Sequence, residues 1–167
     1  MKKLLIYLIC IYASLAAGCS YSLFLNTMPH LRNVQIYTFE NNTSEYAIAQ
    51  DFQNYLVNQF QRDGRLKITT IEPDSFVEGT ILDYKHEIFS YDNYGNISEY
   101  RVSILFSLQM TDLRMQEVIY ENKSLLLSEP YSLNSENPDV LKSEIEAQEK
   151  VFEKAFDTII RNTLEAW

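Results

Sequence analysis

The chain has 167 residues and a formal net charge of −9 at pH 7, with 23 acidic residues against 14 lysines and arginines. A chain this acidic is a poor candidate for binding nucleic acid, because neutralisation of phosphates supplies most of the affinity in such complexes. We therefore expect no nucleic-acid partner. The length is sufficient for one domain with a proper hydrophobic core.

The first 18 residues have the composition of an export signal. Lys2 and Lys3 form a positive start, residues 4–15 form an apolar stretch, and small residues at 16–18 precede Cys19. The apolar stretch is shorter than the roughly 20 residues that a membrane-spanning helix needs. We predict that residues 1–18 are a lipoprotein signal peptide. Residues 19–167 then form a single domain with a net charge of −11, because both signal lysines are lost.

Small residues directly before a cysteine are typical of a bacterial lipobox, in which the thiol is alkylated with a diacylglyceryl group before cleavage. Cys19 is therefore the predicted lipidation site. Ala16 stands where a lipobox usually has leucine, which leaves an ordinary secretory signal with a free Cys19 thiol as the alternative. Because Cys10 leaves with the signal, we expect no intramolecular disulfide.

The first part of the domain is predicted to be a strand, a helix and a second strand. Alternating apolar and polar residues predict a strand over residues 33–39. Ser44 is the expected cap of the helix and Gly64 its end, and residues 65–71 form the second predicted strand. The apolar face of the helix has a residue at every fourth position: Ile48, Phe52, Leu56 and Phe60.

Three long extended runs follow. Residues 76–92 contain Gly79 and a change of face near Ile81, which together predict a bulge or a close approach. Residues 97–112 alternate cleanly, and a third run over 117–129 follows at hairpin distance. This pattern predicts an antiparallel meander with one dry and one wet face. The dry face of the middle run consists of Tyr100, Val102, Ile104, Phe106, Leu108 and Met110.

A second amphipathic helix is predicted from Asn137 onward, with Pro138 at the first helical position. Its apolar stripe consists of Leu141, Ile145, Phe152, Phe156, Ile159 and Thr163. Two such helices can cover the dry face of the meander. The predicted fold is therefore an α/β (α+β) two-layer sandwich: one mainly antiparallel sheet of about four strands, with both helices packed on one face.

The residues that catalysis or metal binding requires do not form a motif in this sequence. His30 and His86 are the only histidines, they have no metal-ligand spacing, and His86 is expected to be an exposed strand residue. Phosphate-binding loops and nucleophile motifs are absent from the sequence. We expect no catalytic residue, no metal and no cofactor. Carboxylates such as Glu144, Glu146, Glu149 and Glu153 are expected on a solvated helix face, with the carboxylate pair of a hydrolase as the alternative.

Aromatic residues are abundant, with twelve tyrosines, nine phenylalanines and one tryptophan. Five of them cluster around the first predicted hairpin: Tyr84, Phe89, Tyr91, Tyr94 and Tyr100. Tyrosine combines apolar area with a polar tip and is common at protein interfaces, although long strands also favour aromatic residues. In the absence of a catalytic motif, this composition favours a binding protein.

Several stretches, in this order, resemble the LPS-assembly lipoprotein (LptE) family. They are "GCSYSL", "VQIYTFENNTSE", "FQRDGRLKI", "VEGTILDY", "YDNYGNISEYRVSI" and "SEPY", followed by a long helix that ends in tryptophan. The resemblance covers nearly the whole chain after the signal. The family usually has Cys-Gly-Tyr after cleavage, whereas this chain has Cys19, Ser20 and Tyr21.

The resemblance implies an outer-membrane lipoprotein that is lipid-anchored, faces the periplasm and sits as a plug inside an LptD-type β-barrel. There the family supports barrel assembly and the insertion of lipopolysaccharide into the outer leaflet. Lys85, Arg101 and Lys123 are the candidate contacts to lipopolysaccharide phosphates, with pairing to neighbouring carboxylates as the alternative for each. Two other functions stay open: an auxiliary lipoprotein of another envelope transport system, and a carboxylate-dependent envelope hydrolase.

Overall fold

The computed structural model describes residues 28–134 and 137–165, so that the predicted signal peptide and Cys19 lie outside the described residues. Within them the chain forms six strands and two helices. Their bounds are β1 Asn33–Ile36, β2 Glu40–Asn41, α1 Ile48–Asp63, β3 Lys67–Ile68, β4 Ser75–Tyr91, β5 Ile97–Asp112, β6 Glu117–Tyr131 and α2 Glu144–Thr163. The strand order in the sheet is β3-β1-β4-β5-β6, and β2 also pairs with β4.

The sheet is mixed and has six strands where about four were predicted. β4, β5 and β6 pair antiparallel, as expected, but β1 is parallel to both β3 and β4, and β2 is parallel to β4. The parallel part arises because α1 connects β1 to β3, and a helical crossover brings the second strand in parallel to the first. Two predicted strands are shorter than expected, since residues 33–39 form a strand only over Asn33–Ile36 and residues 65–71 form only the two-residue β3. The two residues of β2 are too few to show a periodicity in the sequence.

The middle strand β5 shows the predicted alternation, since every second residue from Val102 to Met110 is buried. Both helices pack on this face. The ring of Phe52 in α1 lies 4.9 Å from that of Phe106 in β5 and 5.1 Å from that of Phe152 in α2, measured between centroids. The two helices therefore cover one face of the sheet, as predicted, and we call the opposite face of β4–β6 the outer face.

Helix α1 ends where predicted and begins later than predicted. Gly64 has φ 73°, and its N–H donates to the carbonyl of Phe60. A glycine in this left-handed conformation is a common C-cap of helices. The helix begins at Ile48 after Ala47, which provides no side-chain cap, so the expectation for Ser44 is wrong. Thr43 holds a turn there instead, because its hydroxyl accepts from the N–H of residue 45 at 3.1 Å.

Helix α2 begins at Glu144, six residues after Pro138, so the prediction of its start is wrong. Ser143 is the cap and accepts from the N–H of Glu146 at 3.2 Å. Serine followed three residues later by glutamate is the capping-box pattern, which was present in the sequence. Ile145, expected in the buried stripe, is exposed because it lies in the first turn, outside the core.

Strand β4 contains the predicted irregularities. Its register against β5 shifts between Ile81 and Asp83. At Gly79, a Cβ atom would lie 2.1 Å from the carbonyl oxygen of Ser107 and 3.0 Å from the ring of Phe39. Phe39 is buried between β1 and β2. The missing side chain of Gly79 is therefore what allows β5 and Phe39 to approach β4 this closely.

Two buried carboxylates hold the end of the sheet at which β1 begins. Asp74 accepts from the backbone N–H groups of Arg32 and Asn33, both at 2.9 Å, and from Nε of Arg114 at 2.5 Å. These bonds fix the start of β1 to the start of β4. Burial by itself raises the pKa of Asp74, but its donors outweigh that effect and the pKa lies below the ordinary value.

The second carboxylate, Asp112, ends β5. It accepts from Nε2 of His30 at 2.5 Å and from the backbone N–H groups of Arg114 and Met115 at 2.7 and 2.9 Å. Burial by itself raises the pKa of Asp112, but the hydrogen bonds from His30 and the two amides lower it below the ordinary value. His30 therefore ties the first described residues to the turn between β5 and β6.

Replacing Gly79 by alanine should destabilise the domain by about 3 kcal/mol or more, because the new methyl group meets a backbone atom of the neighbouring strand. Chemical denaturation followed by circular dichroism measures the free energy of unfolding. Thr80→Ala, at the next residue of β4, is the control and should cost less than about 1 kcal/mol. Equal costs for the two variants would contradict the close approach at Gly79.

The carboxylate of Asp112 should make stability depend on pH at the acid end. Its folded-state pKa lies below the unfolded value of about 3.9, so its contribution is complete above that value and is lost as the pH falls through the folded pKa. Asp112→Asn should be less stable at pH 7 by about 1–3 kcal/mol. It should also lose less stability between about pH 5 and pH 3. Urea unfolding across this range measures both effects, with exposed Asp139→Asn as the control; an unchanged acid slope in Asp112→Asn would contradict the assignment.

Candidate functional site: the outer face and the projecting hairpin

The long strands extend beyond the helix layer. β4 has 17 residues and α2 has 20. At about 3.3 Å per strand residue β4 is about 56 Å long, whereas at 1.5 Å per helix residue α2 is about 30 Å long. The distal part of the β4–β5 hairpin therefore projects past the helices, and we call residues 85–101 the projecting hairpin.

The tip of the projecting hairpin exposes large apolar and aromatic side chains. Tyr91 and Tyr94 are 62% and 91% exposed, and Ile88 and Phe89 are also exposed. Asp92 fixes the turn between them, because its Oδ1 accepts from the N–H groups of residues 94 and 96 at 2.8 and 2.9 Å. A rigid turn that presents apolar area to solvent is suited to contact with a partner.

Three rings close the distal end of the core, beside the first residue of α2. The centroids of His86, Tyr100 and Tyr131 lie 5.3–5.7 Å from one another, and Tyr131 stacks on both other rings. Nε2 of His86 lies 2.8 Å from the hydroxyl oxygen of Tyr131. His86 is exposed, as expected, but its ring packs in a defined position that the sequence did not indicate.

The same cluster is joined to the start of α2. The hydroxyl of Tyr84 donates to Oε1 of Glu144 at 2.6 Å, and Oε2 of Glu144 lies 3.6 Å from Nδ1 of His86. Burial, and then the hydrogen bond and charge of Glu144, raise the pKa of Tyr84 far above its usual range. Glu144 was expected on a solvated helix face, but it links α2 to β4.

The outer face is mainly polar, as the alternation of β5 predicted. Its exposed or half-buried side chains include Glu78, Thr80, Lys85, Glu87, Arg101, Ser103, Ser107 and Gln109. Leu126 and Val118 of β6 are apolar exceptions, 66% and 48% exposed, and half-buried Phe76 and Leu105 also lie on this face. The face thus provides a long hydrated surface rather than a second apolar layer.

Two of the three predicted phosphate contacts lie close together on this face. Lys85 is opposite Ser103 and Arg101 is opposite Glu87, so the two cations are diagonal neighbours on paired strands. Lys123 follows Asn122 of β6, which pairs with Leu108 of β5. Leu108 lies seven residues further along β5 than Arg101, so the positions of Lys123 and Arg101 are about 23 Å apart. The three residues therefore do not form one site.

Each of the three cations already has a neighbour. The ammonium groups of Lys85 and Lys123 lie 3.3 Å from the carboxylates of Asp83 and Glu121. The guanidinium carbon of Arg101 lies 3.4 Å from the centroid of the Phe89 ring. Exposed ion pairs contribute only about 0–1 kcal/mol, so such a lysine can exchange its partner for another anion.

Within residues 28–134 and 137–165, no three histidine, cysteine or acidic side chains are arranged to hold a metal ion. Neither helix of this part of the chain has the length and apolar composition needed to cross a membrane.

Most of the chain matches the model of a known protein family. Residues 31–163 match the model of the family described as LptE, lipopolysaccharide-assembly. The chain belongs to the LptE family. The match begins just before β1 and ends with the last residue of α2, so it includes all the strands and helices described above. LptE is a non-enzymatic family, which agrees with the prediction that this chain is not an enzyme.

Solved structures resemble this LptE-family protein in fold at low sequence identity. The hypothetical protein CT253 of Chlamydia trachomatis is 12% identical, with a TM-score of 0.57 over 81% of this chain and 99% of its own. The uncharacterized lipoprotein B of Nitrosomonas europaea is 14% identical, with a TM-score of 0.49 over 78% of this chain and 81% of its own. Comparison with curated protein sequences gives no match. The CT253 likeness supports the fold alone.

In this LptE-family protein, β4 should be coupled to α2 through the hydrogen bond between Tyr84 and Glu144. Tyr84→Phe and Glu144→Gln should each lower the free energy of unfolding by about 1 kcal/mol. The double variant should cost less than the sum of the two, because each single variant already breaks the same bond. Urea unfolding of the four proteins measures the coupling, and Tyr94→Phe with Glu144→Gln is the control pair. Additive costs for Tyr84 and Glu144 would show that the bond contributes nothing.

Proposed function

We propose that this chain is an outer-membrane lipoprotein, anchored through Cys19, that binds an LptD-type β-barrel as a plug. In that role it supports assembly of the barrel and insertion of lipopolysaccharide into the outer leaflet. The observation that carries the proposal is the match to the lipopolysaccharide-assembly family over residues 31–163. The shape and polarity of the domain provide independent support.

The outer face is suited to the inside of a barrel. The lumen of a transmembrane β-barrel is polar, and its apolar outer band is about 25 Å tall. β4, at about 56 Å, is long enough to pass through that band, with the outer face against the polar wall. The exposed aromatic residues at the hairpin tip then lie on the side of the barrel away from the start of β1.

Attachment at two places follows from the proposal. A single acyl chain holds a protein on a membrane only weakly, whereas several chains hold it stably. A lipidated Cys19 and an enclosing barrel together would keep the protein in the outer membrane, facing the periplasm. Cys19 is followed by Ser20 rather than by aspartate, the residue that retains lipoproteins at the inner membrane in enteric bacteria.

Lys85 and Arg101 are the best-placed of the candidate contacts to lipopolysaccharide phosphates. They lie together on the outer face, and the exposed pair between Lys85 and Asp83 can be exchanged for a phosphate. Lys123 is a separate candidate further along the sheet. Glu87, opposite Arg101, opposes phosphate binding at this position, so we propose contact with lipopolysaccharide as secondary to the barrel partnership.

Affinity capture from detergent-extracted membranes tests the barrel partnership. The tagged protein should recover a large outer-membrane β-barrel. Leu126→Arg places a long cation on the outer face and should reduce recovery at least about tenfold, the effect of 1.4 kcal/mol. Ile145→Arg makes the same change at an equally exposed position on α2 and should recover the barrel normally.

The capture experiment tests the barrel partnership and the contact through the outer face separately. Recovery of an inner-membrane ATPase complex, or of no barrel, would contradict the proposed function. Equal loss in Leu126→Arg and Ile145→Arg would contradict the contact through the outer face and leave the barrel partnership standing.

Replacing Cys19 by alanine tests the anchor. The variant should be released from the membrane or accumulate with its signal peptide uncleaved, because no thiol is available for the lipid. Fractionation and intact-mass measurement give the result, with Ser20→Ala as the matched control. A Cys19→Ala protein that stayed membrane-bound with the normal cleaved mass would contradict lipidation.

A further inference from the structure

We propose that the end of the domain at which β1 begins docks directly onto phospholipid headgroups of the leaflet that holds the lipid anchor. This anchor end consists of residues 28–33, 61–67, 70–74, 112–117 and 160–165. The inference applies to the lipoprotein before a barrel encloses it, and it rests on lipidation of Cys19 in the proposed function.

The connection between the anchor and the domain is short. Eight residues, 20–27, separate Cys19 from Met28, the first described residue. Even a fully extended chain spans at most about 3.5 Å per residue, so Met28 lies within about 32 Å of the lipidated residue. The anchor end is therefore the part of the domain that is held near the leaflet.

The residues after Met28 are firmly attached to the domain. Leu31 is buried, His30 is bonded to Asp112, and the amides of residues 32 and 33 are bonded to Asp74. These buried bonds would have to break before residues 28–33 could detach and lengthen the connection to the anchor.

The anchor end exposes apolar side chains on a fixed turn. Met115 is 63% exposed and Leu113 is 40% exposed, both in the turn between β5 and β6. Asp112 holds this turn through the amides of Arg114 and Met115. Ile71, in the loop before β4, is also exposed. Exposed apolar residues beside cations are the composition of a surface that binds at the headgroup boundary.

The charge of the anchor end differs from that of the rest of the chain. Its six cations are Arg32, Arg62, Arg65, Lys67, Arg114 and Arg161, and its six acidic residues are Asp63, Glu72, Asp74, Asp112, Glu117 and Glu165. The end is formally neutral, whereas residues 19–167 together carry −11.

The surface of the anchor end is less acidic than the formal count of charges indicates, because two of its carboxylates are buried. Asp74 and Asp112 are buried, and Asp63 and Glu165 are paired with Arg65. Five of the cations are exposed: Arg114 and Arg161 are paired with Asp74 and Asp157, and the other three are Arg32, Arg62 and Lys67. Two acidic residues, Glu72 and Glu117, are also exposed. An anionic leaflet attracts exposed lysine and arginine and repels the acidic remainder of the chain. The chain that leads to Cys19 therefore joins the domain at an end whose exposed cations and apolar residues suit a phospholipid surface.

Lipid-borne quenchers test this docking in the full-length lipoprotein. Met115→Cys is labelled with the fluorophore NBD and reconstituted in phosphatidylcholine–phosphatidylglycerol vesicles with and without doxyl-labelled lipid. The introduced thiol is the only free one, because Cys10 is removed and Cys19 is acylated. Leu126→Cys is a control of matched exposure (66% against 63%), and Tyr94→Cys marks the hairpin tip.

Doxyl lipid should quench the label at residue 115 and leave those at 126 and 94 nearly unchanged. If the protein floats with the vesicles, equal quenching of the labels at residues 115 and 126, or no quenching at residue 115, would overturn the docking. Failure to float would instead show that the lipid anchor is missing, and so would overturn the proposed function together with this inference. Barrel capture, measured separately, is unaffected by the docking result.

Discussion

The architecture depends on the difference in rise between a strand and a helix. Each strand residue adds about 3.3 Å and each helix residue 1.5 Å, so a 20-residue helix covers only about half of a 17-residue strand. The helices pack around Phe52 and seal the part of the sheet near β1. Beside the first residue of α2, the stacked rings of His86, Tyr100 and Tyr131 close the distal end of the dry face. The projecting hairpin is thus a geometric consequence of long strands and shorter helices.

This constraint gives the domain two different ends. At the anchor end, Asp74 and Asp112 bind the first described residues to the sheet, and cations and carboxylates balance. At the other end, a rigid turn exposes Tyr91 and Tyr94. Between them lies a polar face about 56 Å long. A domain of the LptE family that is held to a membrane at one end can therefore present the whole length of its outer face to a partner.

Features that repeat along one element were predictable from the sequence. The alternation of β5, the glycine that ends α1 and the register shift after Ile81 all follow from local periodicity and backbone chemistry. The start of α2 was also available locally, since Ser143 and Glu146 form a capping pattern, but Pro138 gave a competing signal. β1 and β3 were predicted as strands, but their parallel pairing was not, because it is set by the crossover through α1. β2 was missed because two residues carry too little periodicity.

The sequence by itself determined the family, the two-layer architecture and the identity of the residue expected to carry the anchor. Those properties depend on ordered local patterns, and the family match confirms the first of them. Only the tertiary structure decided which side chains meet. Tyr84 contacts Glu144 across 60 residues of chain, and His30 contacts Asp112 across 82. It also showed that Lys85 and Arg101 are neighbours while Lys123 lies apart. Such contacts depend on strand register and on where the helices end, and no single stretch of sequence contains that information.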